Sequence, residues 1–546
     1  MDSFKIFVSA VAVIAVFTLL AAADTRYRSR PDLSPPTLNI TIPCHDNCSD
    51  GYLFVAPFTG YEDPVNHGPL QGAPYILTST GDLVWSGFTY FSIWAGNFQA
   101  AKWKGKPVLF SFEGAHNSLH GHGHGHHTFL DQDYQNIREL RAGNHMISDK
   151  HEFIVLNETT ALFQIYHPLQ KNLALYGGTA EQTWIVDARF QEMNIETGEV
   201  LFEWASLEHV SPNETALPLP LGQAGIGHNS STAWDYFHIN SITKGDDGHY
   251  LLSARHASTI YKINGTDGSI IWQLGGHSSD FELGPNVTFG FQHHARYLQG
   301  GVGKSTEIIS LFDNSVYGSE SGGGGDKEVH LFPYSRGKYI KLDHEAHIAT
   351  LELAFLPPQG PILAKSQGSL QTLPNRNVLI NWGSEGQITE YSPSGEPIFH
   401  AYLDSGLLQD KLQNYRAFRY EWTGHSPETL AVFAEECEGG VIKVYVSWNG
   451  DTRTVVWKVF WAETTLYGET VQRSKTHVKT GFETTIQLPV VASRLGSIFV
   501  KALDADGQVL QASEGVRAEL AYWLEPQGTP LVRPSYLGQQ VMNEDL

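Results

Sequence analysis

Short apolar stretches recur along the chain behind a glycine-bearing turn, and tryptophan often closes them. The copies read "STGDLVW" (Ser79–Trp85), "ETGEVLFEW" (Glu196–Trp204), "TDGSIIW" (Thr266–Trp272) and "SGEPIFH" (Ser394–His400). Each reads as a hairpin whose glycine (Gly81, Gly198, Gly268, Gly395) supplies the positive φ of the turn. Their positions fit a period of about 63 residues, with two further copies expected near residues 140 and 345. "YIKLDHEAHIATLEL" (Tyr339–Leu353) is a degenerate candidate for the later one. A unit of that length holding several strands is the size of a β-propeller blade, and about six fit between residues 45 and 424. The competing reading is a set of unrelated hairpins.

After Gly424 the pattern changes. "VIKVYVSWNGDTRTVVWKVFWAE" alternates apolar and polar residues around an Asn449–Gly450 turn, and "ETTIQLP" and "SIFVKALDADGQVL" follow. Short strands at this spacing predict a β-sandwich of immunoglobulin-like size over 425–520. The Pro-rich end, 521–546, reads as an extended or disordered tail. The fold class expected is therefore all-β: a six-bladed β-propeller with a C-terminal immunoglobulin-like β-sandwich. The composition agrees, with 53 Gly, 23 Tyr and 13 Trp against 4 Met in 546 residues.

The N-terminus sets the compartment. Lys5 precedes "IFVSAVAVIAVFTLLAAA", and Ala21 and Ala23 form a small-x-small pattern before Asp24. Residues 1–23 read as a cleaved signal peptide in preference to an uncleaved anchor. The mature chain is then expected in the secretory lumen or outside the cell, with no membrane attachment after cleavage. N-x-S/T sequons at Asn39, Asn47, Asn157, Asn213, Asn229, Asn264 and Asn286 fit that route. Of three cysteines, Cys44 and Cys48 can close a small loop, or either can pair with Cys437. The formal net charge of −22 repels phosphate backbones and excludes nucleic acid as a partner.

In a propeller the first strand of each blade lines a central channel, so polar residues at strand starts are the candidates for chemistry. "DKHEFIVL" offers His151 and Glu152, "YFHINSI" offers His238 and Asn240, and "GFQHHARYL" offers Gln292, His293, His294 and Arg296. "KSQGSLQTL" adds Ser366 and Gln367, "SARHAS" adds Arg255 and His256, and "LFDNS" adds Asp313 and Asn314. Trp234, Tyr236 and Phe237 are candidate apolar walls. The bland alternative is a set of histidines and arginines serving structural hydrogen bonds and inter-blade ion pairs. A separate stretch, "HGHGHGHH", puts His120, His122, His124 and His126 on one face if extended. Alternating glycines provide no side chains to hold ligands, so it reads as a loop at the pocket mouth and no metal site is assigned.

Taken together and in order, "FHINSI", "SARHASTIYKINGTDGSIIWQLGG", "FQHHARYL", "LFDN", "SQGSLQTLPNRNVLINWG" and "YRAFRYEW" resemble the fungal branch of the arylsulfotransferase (ASST) family. The resemblance spans most of residues 50–424. It implies a six-bladed propeller and a cofactor-free transfer of a sulfuryl group from an aryl sulfate to a phenol, by way of a sulfohistidine. His238 and His293 match active-site histidines of that family, and the chemistry's demand for a nucleophile, cationic donors and an acid–base group makes Arg255, His256, Arg296 and His151 catalytic candidates beside them. Substrate contacts are expected from Asn240, Gln292, Trp234 and Gln367, and the partner expected is an aromatic small molecule. Two departures stand out. The blade where bacterial members carry the nucleophile has Ser366 and Gln367 instead, and no arginine follows Asp313–Asn314 as it does there. Alternatives are an acid–base step, such as cyclisation or isomerisation in secondary metabolism, or a secreted binding protein without catalysis.

Overall fold

The computed structural model describes residues 27–59, 71–91, 94–117, 121–299, 305–318, 328–404, 412–491 and 495–520. The expected signal peptide, the tail from 521 and His120 lie outside them. The regular structure of the described chain is almost entirely strand, with one four-residue α-helix, Ser206–His209, and a few 3-10 turns. No helix among the described residues is long and apolar enough to cross a membrane.

The described residues form two compact units, the first reaching to 429 and including 448–453, the second made of 430–447 and the described residues from 454 on. In the first, six sheets of four or five strands follow one another along the chain. Strand Phe418–Tyr420 starts the first sheet and pairs with Tyr52–Val55, then Tyr75–Leu77 and Leu83–Ser86, so the end of the unit is stitched to its beginning. The second runs from Ala95–Trp103 through Asn136–Leu140, the third from Phe153–Leu156 through Val200–Ala205, and the fourth from Ile239–Lys244 through Ile270–Gly275. The fifth runs from His293–Gln299 through Ile348–Phe355, with Glu282–Leu283 added in parallel. The sixth runs from Ser369–Thr372 through Pro397–Asp404, and the early strand Thr37–Ile42 joins its edge.

Burial follows the sheet order. Phe54, Ile76 and Trp85 of the first sheet pack on Phe98 and Leu109 of the second. Phe110 and Phe129 of the second meet Phe153 and Phe163 of the third. Like layers lie between the third and fourth, fourth and fifth, and fifth and sixth sheets. Each fully buried aromatic side chain in such a layer contributes roughly 1.5–3 kcal/mol. These layers fix the sheets face to face and leave the polar starts of their first strands to meet one another.

The four turn glycines all adopt positive φ, 85° at Gly81, 75° at Gly198, 77° at Gly268 and 88° at Gly395. Each joins the third and fourth strands of its sheet, before any added edge strand. In the second and fifth sheets the equivalent turn is occupied by Tyr134 and His347, with φ of 55° and 53°. Cys44 and Cys48 are disulfide-bonded to each other, and Cys437 takes no part in a disulfide.

The second unit consists of two four-stranded sheets. In strand Val456–Thr464, Trp457, Val459 and Trp461 are buried while the alternate residues are partly open. That is the period-two burial of a strand with one face on a core.

Candidate active site

The first strands of the second, fourth and fifth sheets share an irregularity near their start. Register shifts fall between Gly96 and Gln99, Ile239 and Ser241, and His293 and Arg296. Asn97, His238 and His294, at or beside these shifts, sit at φ of 55°. Such bulges re-aim side chains, and left-handed backbone at a bulky residue persists only where the surroundings enforce it.

The re-aimed side chains gather around two aspartates. Asp235 accepts from His122 Nε2 at 2.9 Å and from His238 Nδ1 at 2.6 Å on the same oxygen, Oδ2. Its Oδ1 accepts the backbone N–H of His238 at 3.1 Å, and its backbone carbonyl accepts from His256 Nδ1 at 2.6 Å. Asp149 accepts from His151 Nδ1, from Gln164 Nε2 and from the Gly123 backbone. The imidazoles are close: ring centroids lie 4.4 Å apart for His238 and His256, 4.9 Å for His151 and His238, and 5.7 Å for His122 and His238.

These bonds fix tautomers. A carboxylate only accepts, so Nδ1 of His238 and of His151 carries the proton and Nε2 keeps its lone pair. His293 Nδ1 is 2.7 Å from Asn314 Oδ1. The Asn314 amide nitrogen is spent on the carbonyls of Ala364 and Gln367, so its oxygen is the acceptor and His293 too keeps Nε2 as a base. Hydrogen bonding at His151, His238 and His293 thus runs through Nδ1 and leaves Nε2 open for chemistry. Arg255 Nη1 lies 3.3 Å from His256 Nε2, and Nη2 donates to the Lys365 carbonyl. Its guanidinium covers the Tyr317 ring at 4.9 Å, and its buried Nε has no partner among the described residues. Arg255 acts electrostatically on His151, His238 and His293, which places all four in one group.

Burial pushes the His238 imidazole down to about 3, against the opposing pull of Asp235. Burial likewise holds His151, His256 and His293 well below the ordinary histidine value. Burial raises Asp235, but the imidazoles of His238 and His256 outweigh it and keep the carboxyl well below the usual range. At neutral pH His151, His238, His256 and His293 are thus uncharged imidazole bases beside the Asp235 carboxylate. Lys150 Nζ lies 5.0 Å from the Trp94 ring and 5.4 Å from the Tyr415 ring.

Five expected catalytic residues, His151, His238, Arg255, His256 and His293, meet here. Arg296 does not. The register shift after His293 turns it to Glu152, which it pairs at 2.7 Å while Arg416 holds the other oxygen at 2.8 Å. Arg296 lines a different cavity of about 660 Å³ with Tyr420, Gln371 and Gln99. Asn240 lies next to that ion layer, its carbonyl accepting from Arg416 and its amide donating to the Gln292 carbonyl. The Gln292 side chain is spent inside the fourth sheet, on Ser253, Ala254 and Thr259. Trp234, Tyr236 and Phe237 belong to the apolar core, with Trp234 Nε1 bonded to the Leu217 carbonyl and the Tyr236 hydroxyl to the Val210 carbonyl. Gln367 bonds Gln413, and its carbonyl helps to orient Asn314.

The glycine–histidine stretch departs furthest from expectation. It is largely strand, Gly123–Leu130, not a loop. His124 is exposed and His126 partly so, whereas His122 reaches Asp235 and stacks on Tyr166 at 3.9 Å. Its glycines permit close approach: a Cβ on Gly125 would fall 2.1 Å from the Glu113 carbonyl oxygen and 2.7 Å from Gly114 Cα. The strand-start rule passes over Asp235, Lys150, Tyr166, Tyr415 and His122, all of which the fold brings to the site. Asp235 and Asp149 do leave a signal, three and two residues ahead of a histidine at a strand start.

Residues 99–403 match the sequence profile of the arylsulfotransferase (ASST) family. Among curated proteins none matches the sequence. Solved structures similar to the chain include a protein of unknown function from Bacteroides caccae, at 12% identity over 68% of this chain and 98% of that one, with a TM-score of 0.36. They also include the GH43 BlXynB protein from Bacillus licheniformis, at 9% identity over 78% and 89% with a TM-score of 0.27. Likenesses that low carry no argument about this chain.

Proposed function

Because the chain belongs to the arylsulfotransferase (ASST) family, we propose that it transfers a sulfuryl group from an aryl sulfate to a phenol, with His238 as the nucleophile. The observation that carries this reading is the tautomer of His238. Asp235 holds the proton on Nδ1, so Nε2 presents a lone pair beside Arg255. Nε2 attacks sulfur, the N–S bond forms and the S–O(aryl) bond breaks. The aryl oxide leaves with the bonding pair and is protonated from solvent. The acceptor phenol oxygen then attacks sulfur: the new O–S bond forms as the N–S bond breaks with its pair returning to Nε2 of His238, and the phenol's proton passes to Nε2 of His151 or His293 and on to solvent. In this reading Arg255 Nε–H and the Lys150 ammonium meet the sulfuryl oxygens, where charge redistributes in the transition state. Trp94 and Tyr415 offer flat walls for the ring.

This assignment answers the missing histidine at Ser366–Gln367: the nucleophile moves to the fourth sheet. The six successive sheets, with the last strand stitched to the first, are read as the blades of a six-bladed propeller, and the second unit as an immunoglobulin-like sandwich. Secretion after loss of residues 1–23, with glycosylation at the sequons, completes the reading. Six of the seven sequon asparagines are exposed, and Asn264 is partly buried.

The experiment is turnover of p-nitrophenyl sulfate with a phenol acceptor. Wild-type protein should release nitrophenolate in a ping-pong pattern and accumulate a sulfated intermediate. His238→Ala should lower the rate by about 10² or more, the order of loss expected for a reacting or acid–base group. A folded His238→Ala protein with unchanged turnover refutes the role. Absence of turnover in the wild type with any aryl sulfate favours the acid–base alternative, which the paired Asp–His dyads also suit.

A further inference from the structure

We propose that His122, Asp235 and His238 form a binding site for a divalent transition metal, with Zn²⁺ the fitting ion, and that metal occupancy and sulfuryl transfer exclude one another. The second half rests on the reading of His238 as nucleophile; the first does not.

One ligand atom from each of His122, Asp235 and His238 lies within 4.8 Å of the other two, and all three residues are buried; His122 Nε2 and His238 Nδ1 both contact Asp235 Oδ2. Two imidazole nitrogens and one carboxylate oxygen suit zinc and its neighbours rather than calcium or magnesium, which prefer oxygen alone. A three-ligand set leaves a fourth position for water or an anion, as catalytic and exchangeable zinc sites do. The donors are in hydrogen-bond contact, at 2.9 and 2.6 Å from Oδ2. Zinc bonds of about 2.0–2.1 Å in tetrahedral geometry need donors roughly 3.3 Å apart. Oδ2 must therefore recede by about half an ångström, a small rotation of one carboxylate.

The surroundings hold the ligands for this. His122 is stacked on Tyr166 with ring planes 12° apart, and the Tyr166 hydroxyl is bonded to the Ile239 carbonyl. Asp235 is anchored through Oδ1 to the His238 backbone. Ligands oriented by outer contacts of this kind are what a metal site requires. The nearby Arg255 guanidinium repels a cation, so exchangeable binding is expected rather than a permanent structural ion.

Exclusion follows from proton placement. A metal on Nδ1 of His238 takes the lone pair there and leaves the ring proton on Nε2. The nitrogen that attacks sulfur then has no lone pair to offer.

The test uses metal-stripped full-length protein titrated with Zn²⁺ by calorimetry, with Co²⁺ absorption as a second readout on the unmutated chain. The expected result is one buried equivalent and tetrahedral Co²⁺ bands. His122→Ala should weaken it at least tenfold, as should Asp235→Asn, which keeps the side-chain shape, each checked for folding by circular dichroism. The exposed His124 and partly exposed His126, on the strand that follows His122, are the rival ligands, and the double variant His124→Ser/His126→Ser should bind Zn²⁺ unchanged. No Zn²⁺ binding, loss of binding in that double variant, or full binding in both His122→Ala and Asp235→Asn overturns the site. Nitrophenyl sulfate turnover should fall over the same Zn²⁺ range and return with EDTA. Occupancy at the triad with turnover unchanged overturns the exclusion. A stripped protein with no turnover but intact triad binding overturns the sulfuryl reading and upholds the metal site.

Discussion

His127 offers the sharpest test of how burial sets the chemistry of this chain. Its ring is fully buried, with Phe153 at 4.1 Å and Phe112 at 5.7 Å between centroids. Neither ring nitrogen reaches a partner in good hydrogen-bond geometry among the described residues, although the Asp149 backbone is near. Burial pushes it down to about 3. The unfolded chain takes up a proton on this residue near pH 6.5, while the folded chain resists until near pH 3. A depressed base of this kind leaves stability intact above about 6.5 and drains it as pH falls toward 3, by about 1.4 kcal/mol per pH unit. At pH 5 the loss is about 2 kcal/mol. His127→Phe removes it. At pH 7 the variant also sheds two unsatisfied buried nitrogens, worth about 1–3 kcal/mol, less some overpacking from the larger ring. The expected gain is about 1 kcal/mol at pH 7 and about 3 kcal/mol at pH 5. Urea unfolding at both pH values, followed through the first unit's transition, measures it. An equal difference at pH 7 and pH 5 would show that His127 does not resist protonation, and the argument from burial would fail with it.

The remaining predictions concern the site and its frame. Asp235→Asn should cost sulfuryl transfer about 10³-fold or more, since an amide can hold His238 in the wrong tautomer, and KM should change far less than kcat. Because burial pushes His238 down to about 3, kcat/KM between pH 8 and 5.5 should show no acid limb near 6.5 from this proposed nucleophile; a limb there would mean an ordinary histidine. Trp234→Ala should destabilise by about 3–5 kcal/mol through a core cavity, with KM unmoved in the folded fraction at low temperature. Gly125→Ala drives its Cβ into backbone of the neighbouring strand and should cost about 3 kcal/mol by chemical denaturation.

The hairpin repeat is legible where the turn residue is glycine, since positive φ and glycine coincide. It is hidden at Tyr134 and His347, where packing rather than residue type holds the same backbone. Tyr134 stacks on Trp85 at 4.9 Å between centroids, and that burial offsets the strain. The same distinction governs the site. Histidines at strand starts are legible because a polar residue ahead of an apolar run has few places to go. Arg296 stands at such a start too, but one register shift between it and His293 sends it to Glu152 instead. Nothing in the local sequence announces that shift, because it depends on pairing with a strand more than ten residues away. The aromatic run Trp234–Phe237 misleads for a different reason. A pocket wall and a core layer ask for the same flat apolar side chains, and only the partners of Trp234 Nε1 and the Tyr236 hydroxyl, both backbone carbonyls in the interior, decide between them. Asp235 follows directly on Trp234 and is the residue on which the tautomer of His238 depends. A carboxylate in a buried aromatic stretch, with 1% of its surface exposed, cannot persist without donors to satisfy it. That cost is the signal the sequence carries: in "WDYFH" the acid must find a donor, and with the Trp234 N–H and the Tyr236 O–H spent on backbone carbonyls, the imidazole three residues on supplies it.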